Sequence, residues 1–276
     1  MTTIVNTRSG QVLGIVDGRD SATVTSWLNG RSQAWKDRIG VVAIDPSATF
    51  KKAITEGLPA AKVAIDPFHL VQLGNLYLTR VRQRLASALH RCRGRTTDPA
   101  WAHRMLLLRG YDTLRPRGRT RLEHVLATDN PTGELGAAWG VKEALRLILA
   151  SHTIDQARAA KARFDAWVTT AATDETERFA ATITGQKPRA GSTITGQKPM
   201  ALDTAWWLHI EVYITTRVTN ASTEAANTAI KHIERTGRGY RNNTHHQAPY
   251  PAPQRPPGAT TPFEQPRHHI AHSLAS

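Results

Sequence analysis

Two short apolar runs constrain this chain more than anything else in it: Ile39 to Ile44 (IGVVAI) and Lys62 to Ile65 (KVAI). Each is rich in Val, Ile or Ala, and each ends on Asp-Pro, at Asp45-Pro46 and Asp66-Pro67. Runs of this length read as buried strands. A residue before proline is pushed out of the helical region, which stops the run there. Residues 47–57 between them suit a short helix with Gly57 as its stop. Two strands joined through a helix imply a parallel pair in an α/β sheet.

Ahead of this pair, residues 2–6 (TTIVN) and 11–16 (QVLGIV) flank Thr7-Arg8-Ser9-Gly10, which predicts a hairpin. Ser21 is a candidate cap for a helix over 22–29 ending near Gly30. After Phe68 the periodicity becomes helical, with helices expected to His90, over 99–110, over 119–128 and over 133–150. Asp155 is a candidate cap for the next helix, which contains Phe164 and Trp167. Thr182 to Pro188 (TITGQKP) then recurs identically as Thr193 to Pro199. One repeated heptad with Gly and Pro reads as a duplicated loop, since a solenoid needs three or more units. Helix is expected again over 205–218 and from Thr223 to Arg235. From Gln247 to Ser276, seven of thirty residues are Pro and only Glu264 is acidic, so this tail is expected to be disordered.

The division that follows is 1–75 as the α/β start, 76–204 as a helical insertion, 205–246 as a returning helical segment and 247–276 as a tail. A single cysteine excludes a disulfide framework and any Cys-based zinc finger. No apolar run reaches 18 residues and the N-terminus has no secretory pattern, so no membrane partner is expected and a cytoplasmic location is.

The 276 residues carry a formal net charge of +14, which suggests a polyanionic partner. The charge is concentrated. From Leu78 to Arg121 there are twelve Arg, no Lys, and only Asp98 and Asp112 as acids. Arg80, Arg82, Arg84, Arg91, Arg93 and Arg95 alternate, and so do Arg115, Arg117, Arg119 and Arg121. Alternate positions do not share a helix face, so the charge should show on several faces. A solvated surface would look the same, but phosphate contact is the favoured reading, and it makes binding fall with salt. Lys231, Arg235, Arg238 and Arg241 form a second basic group.

Three acids stand at informative places. Asp45 and Asp66 follow neighbouring buried strands, and Glu224 lies near a distant helix start. Strand-end carboxylates on one edge of an α/β sheet sit where such folds bind ligands. Two or three of them can hold Mg²⁺ ions that clamp a phosphodiester. The same residues also suit ordinary strand-ending turns and a first-turn Glu that complements the helix dipole. Asn227, three residues past Glu224, shares its helix face.

Several stretches together resemble the catalytic core of bacterial insertion-sequence DDE transposases of the ISL-three family. They are Val42-Ala43-Ile44-Asp45; Ala53-Ile54; Pro59 to Val63; Asp66-Pro67-Phe68-His69-Leu70; Leu135 to Leu145; and Val218 to Lys231 followed by Gly237 to Asn242. The resemblance spans roughly residues 2–246. It implies an RNase H-like mixed sheet interrupted by a large all-helical insertion. It also implies Mg²⁺-dependent cutting and joining of DNA by a homo-oligomer acting on the nucleoid. By motif match Asp45 is the second catalytic Asp and Glu224 the catalytic Glu, the two metal-holding residues. Asp66 and His69 form a supporting DxxH pair, with Asp66 the competing choice for the second Asp.

The departures from the family are as informative. Thr2 to Val5 matches the family's second strand, so the first strand, with the first catalytic Asp, is expected to be missing. So are the N-terminal zinc-binding and helix-turn-helix regions. The expectation is therefore a truncated transposase impaired in catalysis. A non-catalytic DNA-binding fragment that interferes with an intact transposase is the alternative. A general RNA-binding protein finds no RNP, KH-like or zinc-knuckle pattern to support it.

Overall fold

The structure, a computed structural model, describes residues 1–128, 130, 132–185, 205–236 and 268–274. The duplicated loop lies outside the described residues. The chain divides into two compact units, Met1–Asp66 with Thr216–Ser276, and Pro67–Thr215.

In the first unit β1 (Thr2–Asn6) and β2 (Val12–Val16) form the expected antiparallel hairpin, with Thr2 opposite Val16 and a bulge between Ile4 and Val5. Helix α1 (Ser21–Asn29) follows. Its cap is Asp20 rather than Ser21: the Thr23 N–H donates to Asp20 Oδ1 at 2.8 Å. A short α2 (Gln33–Lys36) leads into β3 (Ile39–Ile44). Helix α3 (Ala48–Gly57), capped by Ser47, returns the chain to β4 (Lys62–Ile65). Strands β3 and β4 are parallel, with Ile44 opposite Ile65. Val24 and Leu28 of α1 and Phe50, Ala53 and Ile54 of α3 are buried, so both helices bury their apolar sides. Gly14 in β2 admits the Trp27 indole: a Cβ there would stand 2.5 Å from the ring.

Among the described residues the second unit is helical. It contains α4 (Pro67–His90), α5 (Pro99–Ala102), α6 (Arg104–Leu108), a 3-10 turn at Tyr111–Thr113, α7 (Pro116–Thr128), α8 (Glu134–Ala150), α9 (Ile154–Ala171), α10 (Asp174–Thr184) and α11 (Trp207–Thr216), whose last residue falls in the first unit. Helix α9 is capped by Thr153, whose Oγ1 accepts from the Gln156 N–H at 3.2 Å, with Asp155 in the first turn instead. Helices α4, α8, α9 and α10 pack on one another. Gly140 lets α8 approach Trp167 of α9, where a Cβ would stand 2.5 Å from the indole. Leu78, Val81, Leu107, Leu122 and Leu135 join the smaller helices into the same core.

The chain then returns to the first unit with α12 (Ala221–Thr236) and a strand the sequence did not announce, β5 (His268–Leu274). Although it falls in the Pro-rich tail, β5 occupies the middle of the sheet. The strand order is β2-β1-β5-β3-β4. It runs antiparallel to β1, with Ala271 opposite Val5, and parallel to β3, with Ala271 opposite Ala43. It thus lies between two strands that are remote from it in sequence. Helix α12 packs against β1 and β5.

Candidate functional site

The two Asp-Pro stops place their carboxylates side by side. Asp45 and Asp66 each follow the last residue of a parallel strand, and those last residues, Ile44 and Ile65, are register partners. The Asp66 N–H donates to the Ile44 carbonyl at 2.9 Å, extending the pairing by one bond. Both side chains are buried, Asp45 at 7% and Asp66 at 4% exposure. Burying a carboxylate is costly unless it is hydrogen-bonded.

A donor to each comes from the start of α12. Asn220 is fully buried, its side-chain Nδ2 donates to Asp45 Oδ1 at 2.8 Å, and its backbone N–H donates to Asp66 Oδ2 at 2.9 Å. An Asn in front of a helix ordinarily turns its own Oδ1 back to accept an N–H of the first turn. Here the Thr223 and Glu224 N–H groups donate to the Asn220 backbone carbonyl, at 2.9 and 3.1 Å. The side-chain Oδ1 is buried with no partner among the described residues. The amide has been turned from capping to holding Asp45. Ser222 adds a further tie, donating to the Thr7 carbonyl in the hairpin turn at 3.1 Å.

Glu224 therefore stands in the first turn of a helix whose start is bonded to both aspartates. It is half-buried. The buried face beside it is polar: Asn220, Thr223 and Asn227, with Thr223 Oγ1 unpartnered among the described residues. Polar residues on the packed face of a helix break the usual rule, and such breaks concentrate at functional sites. His69 lies in the first turn of α4, which belongs to the helical unit. Asn220 was missed as a site residue by sequence reasoning. Its only local signal is an Asn four residues ahead of an acid at a helix start.

These oxygens are the hard donors that Mg²⁺ favours, and Mg²⁺ is commonly held by one or two carboxylates with water and substrate phosphates. Among the described residues, however, no group of three or more His, Cys, Asp or Glu side chains is placed to hold a metal ion.

The arginines divide by environment. Arg82 is buried at 6% exposure and donates from Nη1 to the Arg93 carbonyl at 3.2 Å; burial, with Arg104 nearby, lowers its pKa. Arg84 pairs with Glu175 at 2.8 Å and Glu134 at 2.6 Å. Arg80 lies over the Tyr77 ring, half-buried. Arg104 lies over Trp101, and Arg119 over Tyr111. By contrast Arg91, Arg93 and Arg95, in the link between α4 and α5, are exposed. Lys231 and Arg235 fall on α12 but their side chains lie outside the described ones, and Arg238 and Arg241 lie outside the described residues altogether. No helix among the described residues is long and apolar enough to cross a membrane.

Comparison with known proteins places these features in a family context. The chain matches the ISL-three DDE family, described as "Transposase", over residues 1–194 and 198–249. It is 31% identical over 135 residues to the transposase for insertion sequence element IS1001 of Bordetella parapertussis. That stretch covers 47% of this chain and 32% of the Bordetella protein, so the match spans about a third of its length. No solved structure matches the chain. Both β3 and β4, the two aspartates and α12 lie inside the family match, and β5 lies beyond its end at residue 249.

Proposed function

We propose, from the premise that this chain belongs to the ISL-three family of insertion-sequence DDE transposases, that it is the DNA-engaging catalytic core of such an enzyme, held short of catalysis. Its sheet is RNase H-like, and its helical unit is the insertion. Asp45 and Glu224 are the metal-holding carboxylates. Asp66, His69 and Asn227 support them, and Mg²⁺ is the ion. In an intact site the ion supplies charge stabilisation at the scissile phosphodiester. The observation that carries the reading is the Asn220 bridge, because it ties both strand-end aspartates to the helix of Glu224.

The chain's own residues do the positioning. Asn220 fixes the Asp45 carboxylate through a bond to Oδ1, which leaves Oδ2 outside that bond. The start of α12, the positive end of its dipole, meets the aspartates through these bonds. DNA is held by the exposed arginines, and the active form is a homo-oligomer. Catalysis is impaired in this reading because, among the described residues, no group of three carboxylates forms around Asp45, and β5, in mid-sheet, carries no acid. The alternative reading is a non-catalytic DNA-binding fragment that interferes with an intact transposase.

The test is a cleavage assay. The purified chain is incubated with labelled duplex carrying transposon ends, in Mg²⁺ or Mn²⁺. Binding without strand cleavage is the expected result. Cleavage that disappears in Asp45→Ala or Glu224→Ala would show a complete active site and overturn the impairment. No binding at any salt concentration would overturn the DNA reading as a whole.

A further inference from the structure

We propose that the phosphate-contacting surface of the helical unit is the exposed stripe of α7, formed by Arg117, Arg121 and His124 with Arg115 immediately ahead of the helix, and that its partner is duplex DNA. The proposal deepens the DNA-binding reading above and is independent of the carboxylate site. It comes from asking which of the twelve arginines between Leu78 and Arg121 are available at all. Arg82, Arg84, Arg104 and Arg119 are engaged with carbonyls, carboxylates or rings of their own unit. Arg115, Arg117 and Arg121 are exposed and have no side-chain partner among the described residues.

Their arrangement follows from helical geometry. In α7, Leu122 and Val125 face the core. Positions 117, 121, 124 and 128 recur at i, i+4, i+7 and i+11, which puts them on one stripe beside that core face. All four are exposed: Arg, Arg, His and Thr. The one acid of the helix, Glu123, is off this stripe and accepts the Tyr111 hydroxyl at 2.9 Å. Arg119 is on the Tyr111 side too, 4.9 Å from the ring centre. The sequence alternation of Arg is thereby resolved into one arginine used internally and a stripe left for solvent.

The charge placement runs against the helix itself. Helices favour acids in the first turn and bases in the last. Helix α7 has no acid in its first turn and no base in its last, while Arg115 and Arg117 stand at its start. A fold selected for stability alone has no reason for this pattern. A polyanion laid along the stripe removes the conflict, because its phosphates meet the cations and the positive end of the dipole together. Arg91, Arg93, Arg95 and Arg109 are also exposed, but they lie on links with no regular face, so we assign the leading role to α7.

The experiment measures affinity of the full chain for a labelled duplex by fluorescence anisotropy across a NaCl series. The slope of log K against log salt is about −0.9 per phosphate neutralised. The triple variant Arg115→Gln, Arg117→Gln, Arg121→Gln is expected to flatten that slope by up to about 2.7, three contacts' worth. Its melting temperature should hold or rise, because cations at a helix start oppose the dipole. Arg84→Gln is the contrast: it should lower the melting temperature and leave the slope unchanged. A triple variant with the wild-type slope overturns the proposal. So does a slope lost instead in Arg91→Gln, Arg93→Gln, Arg95→Gln. Equal competition by polyglutamate or by duplex RNA at matched charge overturns DNA as the partner. A flat salt response in the wild type overturns this proposal and the DNA reading with it, whereas cleavage results bear only on Asp45 and Glu224.

Discussion

Asn220 and Asp45 are 175 residues apart in sequence and meet at 2.8 Å, amide nitrogen to carboxylate oxygen, with both side chains buried. The bond joins a strand end to a helix start and is made by an Asn that leaves its own helix uncapped by its side chain. A capping interaction is worth about 1 kcal/mol. Giving it up is reasonable only if holding Asp45 matters more.

Asn220→Ala removes that donor and leaves one oxygen of a buried carboxylate without it, while the backbone N–H to Asp66 stays. The expected loss is about 1.5–3 kcal/mol, the worth of a hydrogen bond to a charged group. Urea unfolding of the full chain measures it. Asn220→Asp keeps the shape but turns an acceptor toward Asp45, so at neutral pH it should cost more than the alanine. Its deficit should shrink as pH falls through the carboxylate range, because a protonated new carboxyl can donate to Asp45. Equal stability of both variants at all pH values would mean that the Asn220 amide does not hold Asp45.

Much of this site could be read from sequence, and the limits are physical. Asp45 and Asp66 were visible because β3 and β4 are continuous apolar runs ended by Asp-Pro. Glu224 was visible through motif order alone, since a first-turn Glu is an ordinary helix feature. Asn220 had no visible role because its bonds are long-range and its local position suggests a cap. The sequence groups Arg82 and Arg84 with the DNA-contacting set; composition cannot separate an arginine that bonds Arg93 or Glu175 from one that faces water. Strand β5 had no signature at all. Its pairing comes from the open backbone groups of β1 and β3, not from an apolar pattern of its own.

Lys142 makes a second test. It is 1% exposed and donates from Nζ to the Leu107 carbonyl at 2.8 Å and the Arg109 carbonyl at 2.7 Å, beside Glu143. These bonds anchor the end of α6 to α8. Lys142→Met strands two carbonyls and should cost about 1–3 kcal/mol at pH 7. Burial lowers the Lys142 pKa, with Glu143 pulling the other way. A lowered lysine pKa means the native state releases its proton before the unfolded chain does. The burial penalty is present in full below the folded pKa and fades as pH rises toward the ordinary lysine value. The wild type's advantage over Lys142→Met should therefore grow between pH 7 and pH 10, because a neutral amine still donates to both carbonyls. Paired urea titrations at the two pH values decide it.

Arg84 joins α4 to Glu134 at the start of α8 and to Glu175 at the start of α10. Glu175 is nearly buried, with its side chain 7% exposed, while Arg84 is 42% exposed. The pair is thus partly screened, and Arg84→Gln should cost about 1–2 kcal/mol, less than breaking a fully buried pair. Adding Glu175→Gln should recover part of that loss, because the unpaired charge is then gone. A double-mutant cycle measures the coupling. A coupling near zero would return Arg84 to the set available for DNA.

The position of β5 leads to the last prediction. Ala271 lies opposite Val5 on one side and Ala43 on the other, so this residue is in register with both neighbouring strands. Proline cannot donate to a ladder and is tolerated at edges, not in the middle of a sheet. Ala271→Pro should therefore expose the amides of β1 and β3 to hydrogen exchange together, although neither strand is altered. The helical unit from Pro67 to Thr215 contains no part of this sheet and should keep its protection. Without β5, β1 and β3 would become open edges facing each other, which invites aggregation. A concentration-dependent loss of soluble protein should accompany the change in exchange. If β1 and β3 stay protected in Ala271→Pro, their stability does not depend on β5 and the sheet is closed by other contacts.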